Sequence, residues 1–180
     1  TGALIIGDSV RETLRQQALA RVGRATVAVT AGDSFFGVDL AARLARQTQT
    51  PTAPLILTYG MATAAGDRRL NRVQLVGADA RFWHLAPQPA PVRPDADRVV
   101  VNRALADRLD VGAGDELVLR WERPELLPRQ AAMAATVAAT VARRVTVGAV
   151  VDDAQFGRFA LAAGQVPVPT VFTAHDWLAA

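Results

Sequence analysis

The sequence predicts a mixed α+β fold. In some stretches apolar residues recur at helical spacing, and in others they alternate at strand spacing. The two kinds of stretch follow one another irregularly, which points to α+β. The 180 residues are 51% hydrophobic and 21% charged, enough to bury a core and too apolar for a disordered chain. That length suits one domain, or two small lobes sharing a core.

Residues 8 to 22 read as an amphipathic helix, with Val10, Leu14, Ala18 and Val22 on one face. Ser9 and Glu12 form a capping box, and Gly23 suits the position past the helix end. Residues 24 to 31 alternate through Thr26, Val27, Ala28 and Val29, a strand pattern. Asp33 or Ser34 caps a second helix reaching about Gln47, with Leu40, Ala41 and Leu44 inward. Pro54–Tyr59 and Arg72–Val76 read as strands joined by a turn at Ala65–Arg68. Phe82-Trp83 falls in a short helical or looped piece. Residues 86 to 97 carry four prolines and form a surface connection.

A compact unit follows: strand Val99–Val101, cap Asn102, a short helix with Leu105 and Leu109 on one face, a turn at Val111–Gly114, and strand Glu116–Trp121. Residues 131 to 142 are alanine-rich, yet Thr136, Val137, Thr140 and Val141 favour an extended segment running into Arg144–Val151. Val166–Phe172 reads as an edge strand, because Pro167 and Pro169 cannot donate to a ladder. Thr173 caps a last short helix carrying Trp177 and Leu178.

Composition excludes several functions. Cysteine is absent, which removes disulfides, thiolate metal sites and a cysteine nucleophile. The formal charge is +3, yet the pI is 10.8, because every basic residue is arginine and arginine does not titrate in the accessible range. The arginines fall as scattered pairs among acids, so no nucleic-acid patch forms and no nucleic-acid partner is expected. No apolar run approaches the ~20 residues of a membrane span.

The opening Leu4-Ile5-Ile6-Gly7-Asp8-Ser9 resembles the first block of GDSL esterases, whose serine is the nucleophile. That resemblance implies a Ser9 and His175 pair. The family's Asp-x-x-His is not matched, since Phe172 stands three residues before His175. Its Gly-x-Asn-Asp block is missing, and Asn102 stands in Val-Val-Asn-Arg instead. Gly32-Asp33-Ser34 repeats the tripeptide before another helix, which favours helix capping for both copies. His84 and His175 lack metal-ligand spacing, and the adjacent carboxylates of Asp152 and Asp153 diverge in direction, as in a solvated turn. No phosphate-binding glycine motif occurs. No cofactor and no metal are expected, and the residues assemble no catalytic constellation.

The stretch from Val99 to Leu119, with its Val-x-x-Gly-Asp-x-Leu-x-Leu run at Val111–Leu119, looks like the extracytoplasmic domain of FtsX/MacB-type ABC transporter permeases. Arg72–Asp79 followed by Arg81-Phe82-Trp83 resembles that family's strand and aromatic pair. Arg144–Val151 resembles its later strand, and Gly2–Leu14 resembles the end of a first transmembrane helix entering a periplasmic helix. In that family the domain continues past the last helix, so its base is expected beyond Ala180.

The resemblance implies a bipartite domain over residues 1–180. A membrane-proximal α/β lobe takes residues 1–85 and 166–180, and an inserted mainly-β lobe takes 86–165. It implies a cytoplasmic (inner) membrane protein with this domain outside, and no catalysis here. Its implied partners are a separate cytoplasmic ABC ATPase, a second permease copy or half, and a periplasmic adaptor, lipoprotein or lipid. Exposed aromatics are natural partner anchors, which makes Phe35, Phe36, Phe82 and Trp83 candidates unless the core takes them. A stand-alone extracytoplasmic binding module is a further alternative.

Overall fold

A computed structural model describes residues 11–13, 15, 16, 19, 21–32, 36, 37, 39–122, 140–162, 164 and 166–179. The fold is mixed α+β. Helix α1 spans Leu40–Thr48, followed by strands β1 (Leu55–Thr63) and β2 (Arg69–Ala78). The short helix α2 (Ala80–Trp83) leads by a long connection to β3 (Arg98–Asn102), helix α3 (Arg103–Leu109), β4 (Glu116–Glu122) and β5 (Thr140–Val151). The last two elements are β6 (Thr170–Ala174) and α4 (His175–Ala179).

The strands close into a barrel in the order β1-β2-β6-β3-β5-β4. It divides into two three-stranded halves. One joins β1 and β2 antiparallel, then β2 and β6 parallel. The other joins β4 and β5 antiparallel, then β5 and β3 parallel. Two antiparallel seams connect them. One pairs Val100 with Phe172 and Val101 with Val171, and the other runs from Gly60↔Trp121 to Thr63↔Val118. Exchanging β1 with β4, β2 with β5 and β6 with β3 preserves the sense of every pairing. The barrel therefore has a pseudo-two-fold arrangement in which each half supplies a strand followed by a helix, β3-α3 and β6-α4. The strands of residues 1–85 and 166–180 make one half and those of 86–165 the other, and both line one interior.

Alternation sets the two faces of the wall. Val73, Leu75, Val99, Val101, Val145, Val147 and Val171 fill the interior. Helix α3 closes one end with Leu105 and Leu109, and α4 closes the other with Trp177 and Leu178. Val76, Val100, Val151 and Phe172 point outward into a second cluster under Phe82, Trp83, Phe156 and Phe159. The phase of β5 changes at Gly148, the extra residue between the Val99↔Val147 and Val100↔Ala149 pairs. A second bulge puts Arg72 at φ 55 between the pairs Gly60↔Val73 and Met61↔Asn71. At Gly60 a Cβ would collide with the Arg120 carbonyl, so only glycine permits that seam to close.

The unit from Val99 to Trp121 forms as its spacing predicts. Asn102 caps α3, and the Asp115 carboxylate accepts from Gly112 N at 2.7 Å in the turn before β4. The described residues between 11 and 22 are helical, and Gly23 takes φ 58 behind them. Asp8, Ser9, Asp33, Ser34 and residues 131–139 lie outside the described residues. Three expectations are corrected. Residues 25–31 form no strand, and Val27 and Val29 are exposed, because their alternation finds no partner ladder. Residues 166–169 stay outside the sheet, and β6 is an interior strand between β2 and β3 rather than an edge. Its prolines precede the ladder, and Gln74 N donates to the Pro169 carbonyl at 2.8 Å. Thr173 lies within β6 rather than capping a helix. Helix α1 also starts later than its sequence suggests, at Leu40.

Asn102 is fully buried. Its Oδ1 accepts from Leu105 N and Thr170 N, each at 3.0 Å. Its Nδ2 donates to the carbonyls of Gly157 at 2.7 Å and Val168 at 2.8 Å. Asn102→Ala strands four backbone groups, and a loss on the order of 3 kcal/mol is expected. Asn102→Asp keeps the two acceptors but faces two carbonyls without a donor, and is expected to be destabilised at least as much. Urea unfolding of both variants measures this; a loss below about 1 kcal/mol for either removes Asn102 as the organising residue.

The turn into β3 carries a pH-dependent contact. Asp95 accepts from Arg98 N and from the Arg98 guanidinium, both at 2.9 Å, and from Asp97 N. The Arg98 backbone bond first, then its side chain and Asp97 N, hold the carboxyl below its ordinary value. A depressed folded pKa stabilises above the unfolded value and loses that contribution as pH falls through the folded one. Asp95→Asn is therefore expected to flatten the acid limb of the stability profile, measured by thermal unfolding between neutral pH and the carboxylate range.

Candidate functional site

The two poles of the barrel differ. At one pole the chain enters β1 and leaves through α4. Leu55 pairs with Ala78 there, and Gly77 lies directly beneath Leu178 and beside Ile56. The first residues of β1 and the last helix thus share one end. Just outside it, between the ends of the parallel strands β2 and β6, a cleft of about 190 Å³ is lined by Ala78, Asp79, Ala80, Trp83, Arg93, Pro94, Ala174, His175 and Asp176.

At the opposite pole a groove of about 510 Å³ runs between the Ala65–Asp67 turn and the start of β4. Arg68 pairs with Asp110 at 2.6 Å and Arg144 with Glu116 at 2.9 Å across it. These pairs join residues 42 and 28 positions apart, so no local spacing signals them. All four side chains are largely solvated, and each pair contributes little to stability.

The residues singled out in the sequence separate. Ser9 and Phe35 lie outside the described residues. Phe36 is exposed. Phe82 and Trp83 are core instead of surface anchors, at 1% and 5% exposed. Phe82 stacks on Phe156 at 4.6 Å and meets Phe159 edge-on at 5.0 Å, because the outward faces of β2, β3 and β6 require an apolar cover. His175 contacts Asp176 at 3.1 Å, and no serine, threonine or cysteine lines its cleft among the described residues. His84 is exposed. Asp152 and Asp153 face away to Arg103 and Arg158, each at 3.5 Å. Among the described residues no cluster of three metal-ligating side chains exists, and no helix is long and apolar enough to cross a membrane.

No family model matches the chain, and no curated protein matches it significantly. Among solved structures it is similar to the periplasmic region of MacB from Actinobacillus actinomycetemcomitans. That likeness has 12% identity and a TM-score of 0.48, and it covers 84% of this chain and 63% of the other. The chain thus spans less than two thirds of that structure.

The burial contrast gives a direct test. Phe82→Ala is expected to cost about 3–5 kcal/mol, as for a large core truncation, whereas Phe36→Ala is expected to stay within about 0.5 kcal/mol of the parent. Denaturant midpoints of the two variants decide it.

Proposed function

We propose that this chain is the extracytoplasmic domain of an ABC transporter permease subunit of the FtsX/MacB type. In this reading it has no catalytic activity. It couples movement of membrane helices, driven by a separate cytoplasmic ATPase, to export of a substrate or to a periplasmic partner. The observation that carries the reading is the return of the chain: β1 begins and α4 ends at one pole, with Ile56, Gly77 and Leu178 in contact. A domain hung between two membrane segments needs both attachments on one face. Support also comes from the stretches that carry the family resemblance. Residues 72–79, 99–119 and 144–151 supply most of β2, β3-α3 with the start of β4, and most of β5, mainly the wall of the barrel rather than its loops.

The half-barrel of β1, β2 and β6 is then the membrane-proximal part, within residues 1–85 and 166–180. The half of β3, β4 and β5 is the inserted part, within 86–165. A second permease copy or half faces the domain, and a lipoprotein, a lipid or a periplasmic adaptor is its client. Phe36 is the surface aromatic proposed to meet a partner. The whole protein sits in the cytoplasmic (inner) membrane with this domain outside.

The 180 residues hold no cysteine, so a thiol introduced among them is the one thiol of this domain. In cells producing the natural full-length protein with Tyr59→Cys, at a position 52% exposed, a membrane-impermeant maleimide is expected to label intact spheroplasts. Labelling confined to lysed cells would remove the extracytoplasmic reading. The chain is also expected to resist a fluorophosphonate probe. Labelling lost in Ser9→Ala would instead favour a serine esterase.

A further inference from the structure

We infer that the outer face of β2, β1 and β4 docks an acidic segment of a partner protein, held by Arg69, Arg72 and Arg120. The inference rests on the permease reading only for the side on which the membrane lies. Strand register places the three arginines together. Met61 stands between Asn71 on β2 and Arg120 on β4, and Thr63 stands between Arg69 and Val118. Their neighbours Ala62, Leu70 and Leu119 pack toward the interior, so alternation turns Arg69, Asn71, Met61 and Arg120 to the outside. The bulge adds Arg72. Leu70 and Val73 both point inward, and Asn71 and Arg72 between them are both exposed. An unbroken strand would have turned residue 72 into the core. Arg72 takes φ 55 here, in the left-handed region that favours glycine or asparagine. The bulge thus aims a charged side chain outward at the cost of backbone strain.

Elsewhere arginines meet nearby acids, as Arg81 meets Asp79 at 2.7 Å, Arg98 meets Asp95 at 2.8 Å and Arg103 meets Asp152 at 3.5 Å. Arg69, Arg72 and Arg120 are exposed, and among the described residues none of them makes an ion pair. The acids around the face do not cancel them. Arg144 holds Glu116 at 2.9 Å, Glu122 has an interaction of its own, and Asp67 is exposed in the turn before β2. The balance stays positive, and carboxylates are its complement, since a guanidinium grips a carboxylate through two parallel N–H···O bonds. Half-buried Met61 at the centre offers an adaptable apolar contact. A lipid surface is the weaker fit. Arg69 opens β2 beside the Ala65–Asp67 turn, at the pole away from the start of β1 and the end of α4. In the permease reading that pole is turned from the membrane. A second copy presenting the same face would set like charges against each other.

The test uses the natural full-length protein in its own cells, with the photo-cross-linker p-benzoylphenylalanine in place of exposed Asn71. Irradiation, then mass spectrometry of the joined peptides, is expected to give an adduct with a segment of another protein that carries several Asp or Glu. In isolated membranes the yield is expected to fall as salt is raised. Arg120→Glu is expected to abolish the adduct, and changing an acid of the joined segment to arginine is expected to restore it. Arg72→Gly suits the left-handed backbone, so it is expected to unfold at or above the parent's temperature while lowering the yield several-fold. No adduct, an adduct only with lipid or with a second copy of this chain, a joined segment without acids, or a yield unchanged in Arg72→Gly and Arg120→Glu would overturn the surface. An adduct together with Tyr59→Cys labelling confined to lysed cells keeps the surface and removes the extracytoplasmic reading. Labelling of intact spheroplasts without an adduct does the reverse.

Discussion

Asn102 is the constraint on which the rest of the barrel depends. It is the last residue of β3 and the cap of α3, and it faces the first residue of β6 across the weaker seam. Four backbone groups from three separate segments converge on one carboxamide. An amide supplies two donors and two acceptors, and every one of them is used. No apolar side chain reproduces that, and a carboxylate reproduces half of it. The β3-β6 seam has only two register pairs, Val100↔Phe172 and Val101↔Val171. The side chain thus performs at this point the joining that backbone ladders perform elsewhere. Gln74, also buried, adds a bond from its side chain to the Phe159 carbonyl at 3.2 Å, tying β2 to the same outer layer.

The two halves are joined in a way that makes them one mechanical body. Each seam is short, but the interior is continuous across both. Leu75 and Val171 from one half meet Val99, Leu117 and Val147 from the other in a single apolar cluster. Separating the halves would expose that cluster, at roughly 25 cal/mol for each Å² of apolar surface. The two halves therefore share one core. The Trp121–Trp177 contact at 4.9 Å, with Arg143 over the Trp177 ring at 5.3 Å, fixes α4 to β4 and β5 of the opposite half. The last helix is thus held by both halves.

Much of this was legible in the sequence where the determinants are local. The strand, cap, helix and Gly-Asp turn between Val99 and Trp121 all form within about one supersecondary unit, and each residue type there has one conformational use. The β1-β2 hairpin was equally readable from its turn. Closure of the barrel was not, since it rests on partners such as Gln74 with Thr170 and Gly60 with Trp121 that no spacing announces. Residues 25–31 show the limit of periodicity: alternation states a capacity to pair, and the chain offers no ladder to receive it. Pro167 and Pro169 misled in the opposite direction, because a proline just before a strand leaves the ladder itself untouched. Phe82-Trp83 marked an apolar need without saying whether the need is met inside the domain. The outward faces of β2, β3 and β6 supply that answer only once the strands are placed.

The two strand-helix junctions, β3-α3 and β6-α4, differ. A pseudo-symmetric barrel could carry the same plug at both, and a buried Asn with four partners is a stabilising choice. Here one junction has it, and its counterpart has Ala174 beside a buried indole N–H without a partner. Unmet polar groups in a folded core are few, and each calls for a cause. The Ala174 junction is the less completely satisfied of the two. It lies at the pole where the chain enters and leaves the barrel. In the groove at the opposite pole the ion pairs are solvated, and Thr63, the last residue of β1, holds a buried Oγ1 without a hydrogen-bond partner among the described residues.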